Sequence, residues 1–199
     1  MMSKKKTNKN KKPKLRYKRD YKFENRVERV MDLLRKTGIS TKENCIRYSK
    51  DMDKHISENR FNDLLKLKYI VKVKVIDKET KEVYKCYKLG ERGKTYVKDN
   101  FENTSIYASN SDFHDLKQSN FLFEYYQNED IDTYKHEKEL EDLFDRDRDT
   151  SRPDGYLINS TTGEGVYIET ITKNYSKQKI ERKLSYCLLK NSKYHLNII

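Results

Sequence analysis

Hydrophobic positions are sparse in this chain, and where they recur their spacing names the element. Val27, Val30, Met31 and Leu34 fall at i, i+3, i+4 and i+7, which predicts one helical face, with Gly38 as its stop. Ser40 and Glu43 have the spacing of a capping box and predict a second, short helix running to about Tyr48. A third helix is expected from near Ser57, with Phe61, Leu64 and Leu65 on one side and Asn59, Arg60 and Asn62 on the other. The period then changes to two. Val71, Val73 and Val75 alternate with Lys72 and Lys74 across residues 69–76, a polar turn follows over 77–81, and residues 83–89 alternate again. A further helix is expected over residues 94–101.

The second half begins after a polar stretch, residues 102–111, that reads as a linker. A helix is expected over residues 112–126 and a turn over 127–132, while 133–144 is strand-to-helix or wholly helical. Residues 145–150, of balanced charge, read as a solvated loop. Short strands over 156–158 and 166–172 flank a turn holding two glycines. Residues 175–189 then place Ile180, Leu184, Cys187 and Leu188 on one helical face, with Lys177, Lys179, Arg182, Lys183 and Lys190 assigned to the outside. A closing strand is expected over 194–199.

Composition narrows the class. Only 34% of the 199 residues are hydrophobic and 38% are charged, so any core is small and its 16 tyrosines carry much of it. No run is long and apolar enough for a membrane span, no secretory signal is apparent, and three scattered cysteines form no CxxC pair. A reduced, cytoplasmic protein without membrane partners is expected. The net charge of +12 is unevenly placed. Residues 1–22 carry 11 basic and 1 acidic side chain, residues 23–101 carry 20 and 13, and residues 102–199 carry 13 and 18. A disordered basic arm, a basic front half and an acidic back half suggest different jobs.

Two carboxylates stand out in the back half. Asp154 opens one expected strand and Glu169 lies near the end of the next, with 14 residues between them. An antiparallel return sets them side by side, the minimum for holding a divalent ion through hard oxygens. Taken singly, Asp154 is a turn residue before Gly155 and Glu169 an exposed strand position.

The order of the first five elements, with Tyr87-Lys88-Leu89-Gly90-Glu91-Arg92-Gly93-Lys94 closing the hairpin, resembles a winged helix-turn-helix over residues 23–101. That resemblance implies duplex DNA as partner. Asn59 and Arg60 would meet base edges, and Lys72, Lys74, Lys78, Lys81 and Lys85 would meet phosphates on the wing. Arg152-Pro153-Asp154 and Ile168-Glu169-Thr170, with His114, Glu137, Lys183 and Tyr186, resemble a small α/β PD-(D/E)XK nuclease-like domain over residues 112–199. The whole chain, of α+β class, resembles the replication-relaxation family of bacterial plasmids and mobile elements.

This resemblance implies a DNA-binding protein acting in replication, relaxation or conjugative transfer, with replication or transfer proteins as further partners. Its active relatives would hold Mg2+ on Asp154 and Glu169, with Glu137 as a further acid. The lysine two residues after the Glu is replaced here by Ile171. Lys173, four residues on, is the candidate for its catalytic role by strand alternation, with Lys179 and Lys183 as alternatives from the following helix. A degenerate site, an active Mg2+-dependent endonuclease or nickase, and a winged-helix transcription regulator are the three expectations.

Overall fold

The computed structural model describes residues 24–101, 105–141, 150–173 and 175–198. The expected arm, residues 1–22, lies outside the described residues, as do 142–149 of the region read as helix end and charged loop. The chain is mixed α+β: seven α-helices and two sheets are present among the described residues.

Helix α1 (Asn25–Thr37) buries Val27, Val30, Met31 and Leu34 completely, and Gly38 ends it at φ +75°, its N–H donating to Leu34 O at 3.1 Å. The next cap is shifted by one residue from the expected box. Thr41, not Ser40, accepts from Asn44 N and starts α2 (Lys42–Tyr48). Ser40 instead lies in a two-residue strand, β1 (Ser40–Thr41), with its hydroxyl bonded to that of Ser119 at 2.9 Å. Its side chain is held by tertiary structure, and that interaction overrides the local signal. Ser57 caps α3 (Glu58–Lys66) as expected.

The hairpin pairs β2 (Ile70–Ile76) with β3 (Val83–Leu89) in full register, Ile70 opposite Leu89 and Ile76 opposite Val83. Its turn is tied by Asp77, whose carboxylate accepts from the amides of Glu79 (2.8 Å) and Thr80 (3.3 Å). Helix α4 (Glu91–Asn100) begins three residues earlier than its expected start, at the N-cap Gly90.

Helix α5 (Asp112–Tyr125) is capped by Ser111. The short α6 (Asn128–Asp132) replaces the expected turn, and β4 (Lys135–His136) leads into a single 3-10 turn, Glu137–Glu139. The second sheet has the order β4-β5-β6-β7, with β5 (Gly155–Ile158) and β6 (Gly165–Ile171) antiparallel. Helix α7 (Lys177–Leu189) then crosses over so that β7 (Lys193–Ile198) runs parallel to β6.

One hydrophobic core runs through both halves. It passes from Val30 and Leu34 through Tyr48 and Phe123, whose rings meet edge-on at 6.3 Å, to Leu157 and Ile168. Polar contacts reinforce it. The buried Lys36 ammonium on α1 donates to the carbonyl oxygens of Ile131 (3.1 Å) and Asp132 (2.7 Å) at the end of α6. Within the stretch read as a linker, Tyr107 is buried against α1 and its N–H donates to Arg35 O at 2.9 Å.

Candidate functional site

Strand pairing brings the two carboxylates together. Gly155 faces Ile168 across the β5–β6 ladder, so Asp154 enters the sheet beside Glu169. Each side chain then bonds the other strand's backbone: Asp154 N donates to Glu169 Oε2 at 3.0 Å, and Thr170 N donates to Asp154 Oδ2 at 2.7 Å. The close approach needs Gly155, because a Cβ there would lie 2.3 Å from the Tyr134 ring. Tyr134 in turn donates its hydroxyl to Asp154 O at 3.2 Å.

A third charge completes the cluster, and it comes from α7. Lys183 Nζ lies 2.8 Å from Glu169 Oε2 and 3.5 Å from Asp154 Oδ1. Asp154, Glu169 and Lys183 are 3%, 4% and 6% exposed, so these charges interact out of reach of bulk water. Lys183 lies on the inner face of α7 and not on the outer face expected for it, and of the two alternatives from this helix it is the one that reaches the carboxylates. Ile180, Lys183, Leu184 and Cys187 stand at i, i+3, i+4 and i+7, which is the inward stripe itself.

His114 approaches from the other side, on α5. Its Nε2 is 3.2 Å from Asp154 Oδ2 and 3.3 Å from Thr170 O. Both are acceptors, so Nε2 carries a proton. Its Nδ1 sits 3.5 Å from Asp115 Oδ1, an ion-pair contact without hydrogen-bond alignment. Burial opposes charge on this imidazole, but Asp115 and Asp154 outweigh it and raise His114 to about 10.

The neighbours split the two acids. Burial pushes Asp154 up, yet the His114 hydrogen bond, the Lys183 charge and the Thr170 amide together hold its carboxyl below the usual value. Burial and the adjacent Asp154 charge raise Glu169 to about 7, against the pull of Lys183 and the nearby Tyr175 hydroxyl. Burial disfavours the Lys183 ammonium, but Asp154 and Glu169 more than restore it. Tyr175 falls outside hydrogen-bond geometry, so Glu169 Oε1 is buried without a partner among the described residues.

Lys173 is not in this cluster. Strand β6 ends at Ile171, so its alternation does not extend to 173, and the Lys173 ammonium bonds the Glu79 carboxylate in the hairpin turn at 2.7 and 2.9 Å. Lys179 is exposed, with its ammonium 3.7 Å from the centre of the Tyr175 ring. Glu137 lies alongside: its N–H donates to Asp154 O at 2.9 Å, and its charge acts on Lys183.

A divalent ion does not fit this arrangement. Asp154 Oδ2 is taken by Thr170 N and His114, and Glu169 Oε2 by Asp154 N and Lys183. The Lys183 ammonium occupies the position between the carboxylates where a cation would sit. Among the described residues, no group of three or more His, Cys, Asp or Glu side chains is arranged to hold a metal. A small cleft between α7 and strands β6 and β7 is lined by Glu169 and Lys183 together with Ile180, Leu184 and Leu196.

The second candidate surface is open. Residues 72, 74 and 76 share one hairpin face with their partners Tyr87, Lys85 and Val83. Lys72, Lys74, Lys78, Lys81 and Lys85 are all exposed, and among the described residues none of them has an acidic partner. Helix α3 flanks this face, its Phe61 packing edge-on against Tyr87 at 5.1 Å. Asn59 is exposed on α3 and Arg60 is half-exposed, 3.8 Å from Glu24. The hairpin's opposite face is covered: Val75 and Cys86 pack with Ile39 and Leu116.

No helix among the described residues is long and apolar enough to cross a membrane. In comparisons with known proteins, no family model, no curated protein and no solved structure matches the chain.

Proposed function

We propose that this protein binds double-stranded DNA through α3 and the lysine face of the β2–β3 hairpin, used as a winged helix. The observation that carries this reading is the two-sidedness of the hairpin. One face is packed against α5, and the other presents Lys72, Lys74 and Lys85 beside α3 with no acidic partner among the described residues. Lys74 and Lys85 are directly opposed in the ladder, a like-charge pair whose mutual repulsion a bound anion would relieve. Regularly spaced phosphates are such anions. Asn59 and Arg60 are the candidates for base edges. A role in the replication, relaxation or transfer of a mobile element rests on the family resemblance alone.

The test is a mobility shift of mixed-sequence duplex by the full chain. Wild-type protein is expected to bind, and a Lys72→Ala, Lys74→Ala, Lys85→Ala variant to bind at least tenfold more weakly. Equal binding by both would contradict the proposal.

A second reading, a DNA nuclease, is favoured by one specific observation. Lys183 reaches Asp154 and Glu169 from α7, close enough to stand in for the lysine that Ile171 denies to β6, although as placed it fills the ion's position. It requires Lys183 to leave the position between the carboxylates. Incubation of supercoiled plasmid with protein and magnesium decides it: nicking by wild type that disappears in Glu169→Gln supports an enzyme, and no nicking under any divalent ion leaves the cluster a structural one.

A further inference from the structure

The hairpin ends in an apolar pair that its own fold leaves uncovered. Ile76 and Val83 oppose each other in the last register position before the turn, each 55% exposed. They lie on the same face as Lys72, Lys74 and Lys85, about 13 Å beyond Lys72 at the ordinary strand rise. Lys78 and Lys81 stand on the turn just past them, and the Lys81 ammonium donates to Lys78 O at 2.7 Å. Two β-branched side chains at a solvated hairpin tip, with lysines beside them, offer a partner apolar contact and cationic contact at one place.

The acids of the tip do not compete for those lysines. Asp77 is turned onto the amides of Glu79 and Thr80, Glu79 is bonded to Lys173, and Glu82 takes the hydroxyl of Tyr84. The turn is therefore fixed in shape before any ligand arrives, with Asp77, Glu79 and Glu82 each engaged away from the lysines. The chain's own N-terminal segment, with 11 basic residues in its first 22, has the wrong sign to cover it.

Resting on the DNA-binding reading above, we propose that Ile76 and Val83 form an apolar wedge. It enters the minor groove of duplex DNA and partly unstacks a base step, while Lys74, Lys78, Lys81 and Lys85 hold the flanking phosphates. Base steps provide the apolar surface and the groove walls provide the charge; wedges of this chemistry kink the duplex. The protein is then a DNA-bending protein, and its preferred sites contain the easily unstacked pyrimidine–purine steps.

The experiment uses the full chain and a short duplex labelled at both ends for energy transfer, read alongside affinity at two salt concentrations. Wild-type protein should shorten the end-to-end distance. Ile76→Thr, Val83→Thr keeps β-branched residues in both strands, and it should abolish the shortening and weaken binding about tenfold with an unchanged salt dependence. Val83→Lys is a second variant at the same exposed tip. If the tip merely touches phosphates, the added charge tightens binding and leaves any bend intact; on the wedge reading the bend is lost. Binding by wild type without bending, or bending that survives both variants, would overturn the wedge while leaving DNA binding in place. No duplex binding by wild type would overturn both readings. If in that case the protein bound vesicles of anionic lipid and the threonine variant did not, the tip would be a membrane contact.

Discussion

Lys183 and Lys173 make the sharpest contrast between two residues of the same kind. Lys183 is the shared cationic partner of two buried carboxylates, and removing it leaves Glu169 without an ion-pair partner beside Asp154. Lys183→Met is expected to cost about 3–5 kcal/mol in urea unfolding at neutral pH. Lys173→Met, at an exposed pair, should leave the unfolding midpoint nearly unchanged. His114 gives the cluster a signature in pH. Its folded-state value, about 10, lies above its unfolded value, so its contribution is complete below about pH 6.5 and fades as pH rises toward 10. Glu169 has the same sign at lower pH: its raised value also makes stability fall as pH rises, from about 4.5 through 7, so its share precedes most of the alkaline decline. Stability should therefore decline from about pH 7 to 9 in the wild type, and His114→Gln should be less stable at pH 7 with a flatter decline. A parallel decline in the variant would show that His114 is uncharged in the fold. Asp154 and Glu169 could be paired from the sequence because a hairpin with 14 intervening residues returns to its own start. The lysine could not be placed by the same rule, since it comes from a helix whose rotation on the sheet is set by packing.

Elements were more legible than sites. Hydrophobic period marked α1 and α3, which each bury one apolar stripe, and the alternation of the hairpin marked its strands. Helix α5, which buries Asp115, Gln118 and Ser119 as well as its apolar residues, was found from its aromatic and Leu positions. Periodicity fared worse from residue 127 to 141, where α6, a two-residue strand and a 3-10 turn are each too short for any period to register. The cap of α2 moved from Ser40 to Thr41 because Ser40 is engaged with Ser119 of α5, a contact 79 residues away that local spacing does not carry. The β5–β6 pairing depends on the bare backbone of Gly155 against Tyr134. Gly155→Ala is expected to destabilise by about 1–3 kcal/mol as overpacking, measured by thermal or urea unfolding. A neutral effect would mean that Tyr134 is free to move aside and does not fix the position of Asp154.

At the scale of the molecule, the front and back halves share one core, joined by Phe123 against Tyr48 and by Arg47, which donates to Phe123 O at 2.6 Å. Phe123→Ala should cost about 3–5 kcal/mol, and far-UV circular dichroism and tyrosine fluorescence should report the same midpoint in wild type and variant. Two separated transitions would contradict a common core. The same packing fixes the division of labour. The back half covers the inner face of the hairpin and leaves the lysine face and α3 to solvent, and that arrangement is why DNA is the proposed partner. The most direct test is the salt dependence of duplex binding by the full chain, compared with Lys72→Ala, Lys74→Ala, Lys85→Ala. If these lysines meet phosphates, the slope of log affinity against log salt falls by about 3 in magnitude, close to one per lysine removed. An unchanged slope would contradict the claim that the hairpin face is where this protein holds DNA.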